Sequence, residues 1–279
     1  MLFVNEIGEI VHGIVDKYSG AANKNIGDAF LLVWKFEEAD QITDPETGEL
    51  HVKECGRVSQ LADMSVISFV LLIAALTKNR KMIKYNDHVG LNERMPNYAV
   101  KLGLGLHLGY SIEGPIGSYY KIDASYLSPH VNMAMRLEGA TKAFGVPLLI
   151  HQALHKHFTR KTRDYCRLID WVVMAGNDNP VKLYTVDCDR TQLTYEKEGP
   201  KLSAKERKIA KIQNRIQRDN MRAAAFKHQI EMSSTFATNK DFLKMRTPFT
   251  KEFLKSYSNG FKKYMKGLWS EAKEFFETA

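Results

Sequence analysis

Apolar residues at Leu2, Phe3, Ile7, Ile10, Val11, Ile14 and Val15 recur at helical spacing and predict an amphipathic helix that needs a sheet to lie on. Ser19-Gly20 ends it. Ala29 to Phe36 (AFLLVWKF) is rich in strand formers and, with the short stretch before Gly27-Asp28, predicts a hairpin. Residues 37–59 are polar and contain Asp44-Pro-Glu-Thr-Gly48, read as an exposed turn-forming insertion. Leu61 to Thr77 is apolar on most sides and predicts a buried helix, and residues 80–98 are read as irregular. Val100 to Tyr110 alternates between apolar residues and glycine, and Ser111 to Leu127 adds at least one more strand to the same sheet.

Ser128 as N-cap and Pro129 at the first helical position open a helix that runs to about Phe144, where Gly145 stops it. Pro147 to Ile150, Cys166 to Met174 and Val181 to Val186 predict strands around a short helix near 151–158. Helices interleaved with strands predict an α+β sandwich with a mixed sheet over residues 1–188. Beyond Asp189, Leu202 to Met232 reads as one charged helix whose stripe, Ile209, Ile212 and Ile216, suits docking rather than a core. Residues 250–279 read as two helices broken near Gly260. The pattern Tyr257, Gly260, Gly267, Trp269 and Ala272 resembles one incomplete tetratricopeptide-like unit. Residues 189–279 thus form a helical extension.

The net charge of +8 sits in that extension: residues 201–279 hold 18 Lys and Arg against 8 Asp and Glu, leaving 22 against 24 before them. Basic residues spread along helices read as a solvated face, and no nucleic-acid partner is expected. Three cysteines (Cys55, Cys166, Cys188) suit neither a zinc site nor a disulfide framework, which points to a reducing compartment. The longest apolar run, Val66 to Leu76, is shorter than the roughly 20 residues of a membrane span. The first residues lack a signal-peptide pattern.

The chemistry concentrates in two segments. Lys24-Asn-Ile-Gly-Asp28 places a carboxylate after a glycine at a hairpin tip, where a hard metal such as Mg²⁺ or Mn²⁺ and a phosphate come close to the backbone. Taken alone, Gly-Asp is a turn dipeptide. Asn132 and Arg136 lie four apart on the helix begun by Ser128, so they share a face. His151, His155 and His157 lack accompanying carboxylates or cysteines for a zinc site. His107 reads as a core histidine bonded to a backbone carbonyl. Gly103, Gly105, Gly109, Gly114 and Gly117 read as close-packing positions rather than a phosphate loop.

These two segments, with Leu102-Gly-Leu-Gly-Leu-His-Leu-Gly109 between them, resemble the catalytic domain of class III nucleotidyl cyclases over roughly residues 2–187. The resemblance implies a ferredoxin-like core and conversion of ATP to cyclic AMP and pyrophosphate in intracellular signalling. It implies Asp28 as a metal ligand, Lys24 and Ser125 as readers of the purine, Asn132 as the residue that orients the ribose, and Arg136 as the one that stabilises the phosphates. Lysine at position 24 suits N1 of adenine, which favours adenylate over guanylate cyclase.

The family's first metal aspartate lies on a strand ahead of the first helix, so the chain reads as starting in mid-fold. The family's Lys-Gly-Lys is replaced by Ala175-Gly176-Asn177. Both departures keep a second reading open, a degenerate cyclase domain serving as a regulatory or scaffold subunit; guanylate cyclase is a third. The expected partner is an identical chain or another cyclase domain, with Asp28 of one facing Lys24, Ser125, Asn132 and Arg136 of the other. The setting expected is cytoplasmic, any membrane or cilium association coming through a partner or a further segment.

Overall fold

The computed structural model describes residues 2–96, 98–174, 179–195 and 203–279, and the backbone alone of Ile26. Helix α1 (Leu2–Lys17) buries Ile7, Val11 and Val15, the stripe its spacing predicts. Ser19 at φ 63° and Gly20 turn the chain into strand β1 (Ala21–Ile26). A Cβ on Gly20 would lie 2.6 Å from the Trp34 ring and from Val15, so the turn requires glycine. Gly27, at φ 66°, and Asp28 then reverse the chain into β2 (Ala29–Val33), antiparallel to β1.

The polar insertion carries a short hairpin, β3 (Gln41–Thr43) and β4 (Leu50–Val52). Helix α2 (Gly56–Lys78) follows, with residues from Val58 to Leu76 buried on nearly every side. It is the one helix among the described residues long and apolar enough to cross a bilayer, and 83% of its most apolar window is enclosed by the fold. Residues 80–98 are not irregular as expected: α3 (Arg80–Asn86) and α4 (Val89–Arg94) occupy them. Their shortness explains the miss, because one or two turns leave no periodicity to read.

Strand β5 (Leu104–Leu106) is shorter than the expected Val100–Tyr110. Its leucines enter the core, while Gly103 and Gly105 lie against the helix that follows. Strands β6 (Ile112–Ser118) and β7 (Lys121–Leu127) do not join the same sheet as expected; they form a separate two-stranded ribbon tipped by the fully exposed Tyr119. The alternation of β6 and β7 is the same in a free ribbon as in a sheet, so the pattern does not distinguish the two.

Helix α5 (Pro129–Phe144) begins and ends as predicted: Ser128 Oγ accepts from the His130 N–H, and Gly145 at φ 64° stops it. Strand β8 (Leu148–His151), helices α6 (Gln152–His155) and α7 (Arg160–Asp164), and strands β9 (Cys166–Val172) and β10 (Val181–Val186) complete the main sheet. Its order is β5-β8-β10-β9, with β5 and β8 parallel and the other pairs antiparallel. The result is the α+β class with a mixed sheet. The loop Ala175-Gly176-Asn177 lies outside the described residues.

In the extension, α8 (Ala204–Phe226) stops six residues before the expected Met232. His228 takes a left-handed φ of 55°, and the Met232 N–H is held by Gln60 Oε1 at 2.8 Å, which draws the chain off the helix axis onto α2. Helices α9 (Ser234–Thr238) and α10 (Lys240–Arg246) follow. Met232, Phe236, Phe242 and Met245 are buried in the same core as α2, so the extension contributes core and not docking alone. Helix α11 (Lys251–Tyr264) runs through Gly260 without the expected break, and Gly267 at φ 73° makes the turn into α12 (Trp269–Glu277). Gly260 instead lets α12 approach: a Cβ there would lie 2.9 Å from Phe276.

Candidate functional site

The hairpin β1–β2 and the ribbon β6–β7 meet at a contact between residues 101 apart. Lys24 Nζ donates to Ser125 Oγ at 2.6 Å, with Ser125 buried and Lys24 half-buried. A bulge in β1 between Ala22 and Lys24 shifts the register and sets where Lys24 falls along the strand. The two expected base readers therefore converge: an ammonium with three donors and a hydroxyl that both accepts and donates. Nearby, Lys35 of the β2 side pairs with Glu113 of β6, which also accepts from the Tyr126 hydroxyl at 3.0 Å. This second set of contacts ties the hairpin to the ribbon. Lys35 and Tyr126 carry no motif of their own, and only cross-strand placement reveals them.

Ser125 stands three residues before the Ser128 cap, and Asn132 and Arg136 follow one and two turns into α5. Both are exposed on that helix, about 6 Å apart along its axis. The cap fixes the start of α5 twice over, since Ser128 Oγ also donates to the Tyr110 carbonyl at 2.5 Å. Packing fixes its height above β5. A Cβ on Gly105 would lie 2.4 Å from the Ala134 carbonyl oxygen, so only glycine lets the strand and helix backbones approach this closely.

Histidines form a second support. His107 Nε2 lies 2.8 Å from His130 Nδ1, and the His107 ring meets the His151 ring edge-on at 4.4 Å. The expected bond from His107 to a backbone carbonyl is absent; its Nδ1 is buried without a partner. Burial and the neighbouring imidazoles push His107 down to about 3 and His151 down to about 4, so both rings are neutral at physiological pH. Residue spacing does not reveal His130 as a partner of His107; Gly109 is the signal, for a side chain there would strike the His130 ring. The cluster joins β5, α5 and β8 and positions the first turn of α5.

Asp28 is exposed at the tip between β1 and β2. It lines the mouth of a cavity of about 1400 Å³ whose lining includes none of Lys24, Ser125, Asn132 or Arg136. Within one chain, then, Asp28 and the set Lys24, Ser125, Asn132 and Arg136 do not share that cavity. Among the described residues no group of three or more His, Cys, Asp or Glu is placed to hold a metal ion. Asp28 offers a single carboxylate, which does not amount to a metal site within one chain.

Over 186 residues the chain is 29% identical to an adenylate cyclase of Anabaena cylindrica, a match that takes in 66% of this chain and 31% of that protein. The chain resembles the class III nucleotidyl cyclases. It spans about a third of the length of that relative. Among solved structures it is similar to a bacterial light-regulated adenylyl cyclase (TM-score 0.46, 19% identity, 81% of this chain and 49% of that one). It is also similar to the adenylyl cyclase CyaB of P. aeruginosa (TM-score 0.42, 20% identity, 72% and 83%) and to the guanylyl cyclase Cya2 (TM-score 0.43, 17% identity, 66% and 80%). No protein-family model matches the chain.

Proposed function

We propose that this chain is an adenylate-type nucleotidyl cyclase subunit that binds ATP at a site shared between two cyclase domains. The observation that carries the reading is the 2.6 Å contact between Lys24 and Ser125. Adenine presents an N1 acceptor beside an N6 donor; Lys24 donates to the first and the Ser125 hydroxyl accepts from the second. Guanine presents a hydrogen at N1, which an ammonium opposes. In the free chain the two side chains satisfy each other, so an incoming base replaces one hydrogen bond with two.

Asn132 and Arg136 face the sugar and phosphates in this reading. Attack of the ribose 3′-oxygen on the α-phosphorus expels pyrophosphate and requires no covalent enzyme intermediate, so positioning and charge neutralisation supply the catalysis. Arg136 suits the second role, because a guanidinium stays charged and offers several donors to oxygens that gain charge as the bond breaks. Asp28 of the partner chain faces the triphosphate and is a candidate ligand for Mg²⁺ or Mn²⁺. Head-to-tail pairing brings the half-sites together and builds two sites per symmetric dimer.

A regulatory reading is favoured by one observation: among the described residues no group of three or more His, Cys, Asp or Glu is placed to hold a metal ion. In that reading the chain binds nucleotide and turns none over. Incubation of the purified chain with Mn²⁺ and ATP separates the two: cyclic AMP supports the enzyme, and ATP binding without product supports the regulatory subunit. Absence of ATP binding contradicts both.

A further inference from the structure

Helix α8 changes character at Gln217. From Arg218 onward it is fastened to the body: Arg218 pairs with Asp16 of α1, Arg222 reaches Glu37 at 3.5 Å, and Met221 and Ala225 pack into the main core. Before that point, residues 204–217 make about 21 Å of helix in which every residue but Ala210 is exposed. A helical segment of this length is marginal in water without packing, yet its start is specified twice. Ser203 Oγ accepts from the Glu206 N–H, and the Glu206 carboxylate accepts from the Ser203 N–H at 2.7 Å. Along this segment stand Ile209, Ile212 and Ile216, 44%, 53% and 55% exposed. At about 3.6 residues per turn they form a stripe roughly 60° wide, on the side of the helix opposite Arg218, Met221, Arg222 and Ala225. The stripe therefore points away from the body's own core.

We infer that this half of α8 is the docking face for one helix of another protein, apolar along its seam and acidic along one flank. The isoleucines follow the a and d spacing of a coiled coil, and a stripe this narrow is a two-helix seam rather than the broad face that a membrane or a domain core takes. The flanks fix the partner's charge. With Ile209 and Ile216 at a, Lys208 and Arg215 fall at g, while the e flank carries Glu206, Gln213 and Asn220. Glu206 is engaged in the cap. Cations thus line one flank only, and a lipid surface, which meets both flanks alike, leaves that asymmetry unused. A second copy fits poorly. Antiparallel pairing sets the Lys208 and Arg215 flank against its own counterpart; parallel pairing sets Lys205, at d, against itself and gives Lys208 and Arg215 only amides to face. Residues 204–217 hold five Lys or Arg and one Glu, so two copies also repel. A different helix with an acidic flank satisfies Lys208 and Arg215 in either direction. The docking face belongs to the extension and does not depend on the nucleotide reading.

The full chain is titrated with a synthetic peptide of about three heptads carrying isoleucine at a, leucine at d and glutamate at both e and g, followed by calorimetry and hydrogen exchange. The expected result is saturable binding of one peptide per chain and at least about tenfold slower exchange at amides within 208–217, with no such change in α5. The same peptide with lysine replacing each glutamate binds at least about tenfold more weakly. Lys208→Glu combined with Arg215→Glu reverses that preference, and Ile212→Asp removes binding of both peptides. All three positions are exposed, and an unchanged thermal midpoint verifies that each variant folds. No protection with glutamate peptide in excess, or equal binding of the two peptides to the unaltered chain, overturns the inference. So does protection that grows with chain concentration in the absence of peptide, which assigns the face to a second copy. Protection of the same amides by phosphatidylserine vesicles alone assigns it to a lipid surface and overturns the inference as well. Because no arm reads nucleotide binding or turnover, failure here is distinguishable from failure of the cyclase reading.

Discussion

Lys24 and Ser125 become neighbours only through folding, and the chemistry assigned to them is testable one residue at a time. Replacing Lys24 with Glu exchanges a donor for an acceptor, so the ratio of ATP to GTP affinity falls by at least about tenfold, read by competition binding. Arg136→Ala removes charge stabilisation that matters most as the bond breaks; kcat falls by about 10²-fold or more while KM changes little. The buried imidazoles predict a pH dependence. His107, His151 and His155 are all pushed well below the usual histidine range by burial, so the folded chain resists the protons that the unfolded chain takes up below about pH 6.5.

That stability is present above the unfolded value and is lost as pH falls toward 4. Asp63 opposes it: burial pushes it up to about 6 against the lowering pull of the bonds it accepts from the Thr159 N–H and hydroxyl, so its share is lost as pH rises from 4 through 6. Three histidines outweigh one carboxylate, and the midpoint of thermal unfolding rises between pH 5 and 7. His107→Leu flattens that rise; an unchanged slope contradicts the assignment. At this scale the sequence discloses residue types and their spacing. It does not disclose His130 beneath Gly109 or Tyr126 on Glu113, because those partners lie on different segments of the fold and share no period.

Elements with long, uniform patterns are legible in the sequence, and those defined by close approach are not. Helices α1, α2 and α5 follow from periodicity and caps, and their ends match Ser19-Gly20, Ser128-Pro129 and Gly145. Short α3 and α4 leave no period. Gly260 reads as a breaker in one dimension and is a contact surface in three. Gly105→Ala tests the idea that backbone approach sets the position of α5. A Cβ there meets backbone atoms of Ala134 and Glu138, which move only with the helix, and the cost is about 1–3 kcal/mol or more by urea unfolding. Activity falls in the same variant if Asn132 and Arg136 depend on that placement. Ser128→Ala removes the cap and the bond to the Tyr110 carbonyl together and costs about 1–2 kcal/mol by urea unfolding.

At the scale of the whole molecule, the extension is fastened as well as packed. Arg167 of β9 forms a bidentate pair with the buried Asp187 carboxylate, its guanidinium lies 4.1 Å over the Tyr257 ring of α11, and Arg246 of α10 reaches Asp187 at 3.7 Å. With Phe236, Phe242 and Met245 inside the main core, a chain ending at residue 188 exposes further apolar surface and binds more of a hydrophobic dye than the intact chain does. The sequence shows the extension's charge and its thin stripe but not this anchoring, which depends on β9 bringing Arg167 beside Asp187, the residue just past the end of β10. Nor does it show that the cavity Asp28 lines leaves out Lys24, Ser125, Asn132 and Arg136.

That separation is the centre of the account, and mixing two variants tests it most directly. Asp28→Ala and Arg136→Ala each disable one half of every shared site, so each alone produces little cyclic AMP from ATP with Mn²⁺. Equal amounts re-equilibrated together give half of the dimers one intact site of two, and the account predicts recovery to about a quarter of the wild-type rate. A mixture that stays as inactive as either variant alone, while wild-type chain is active, contradicts a site built from two subunits.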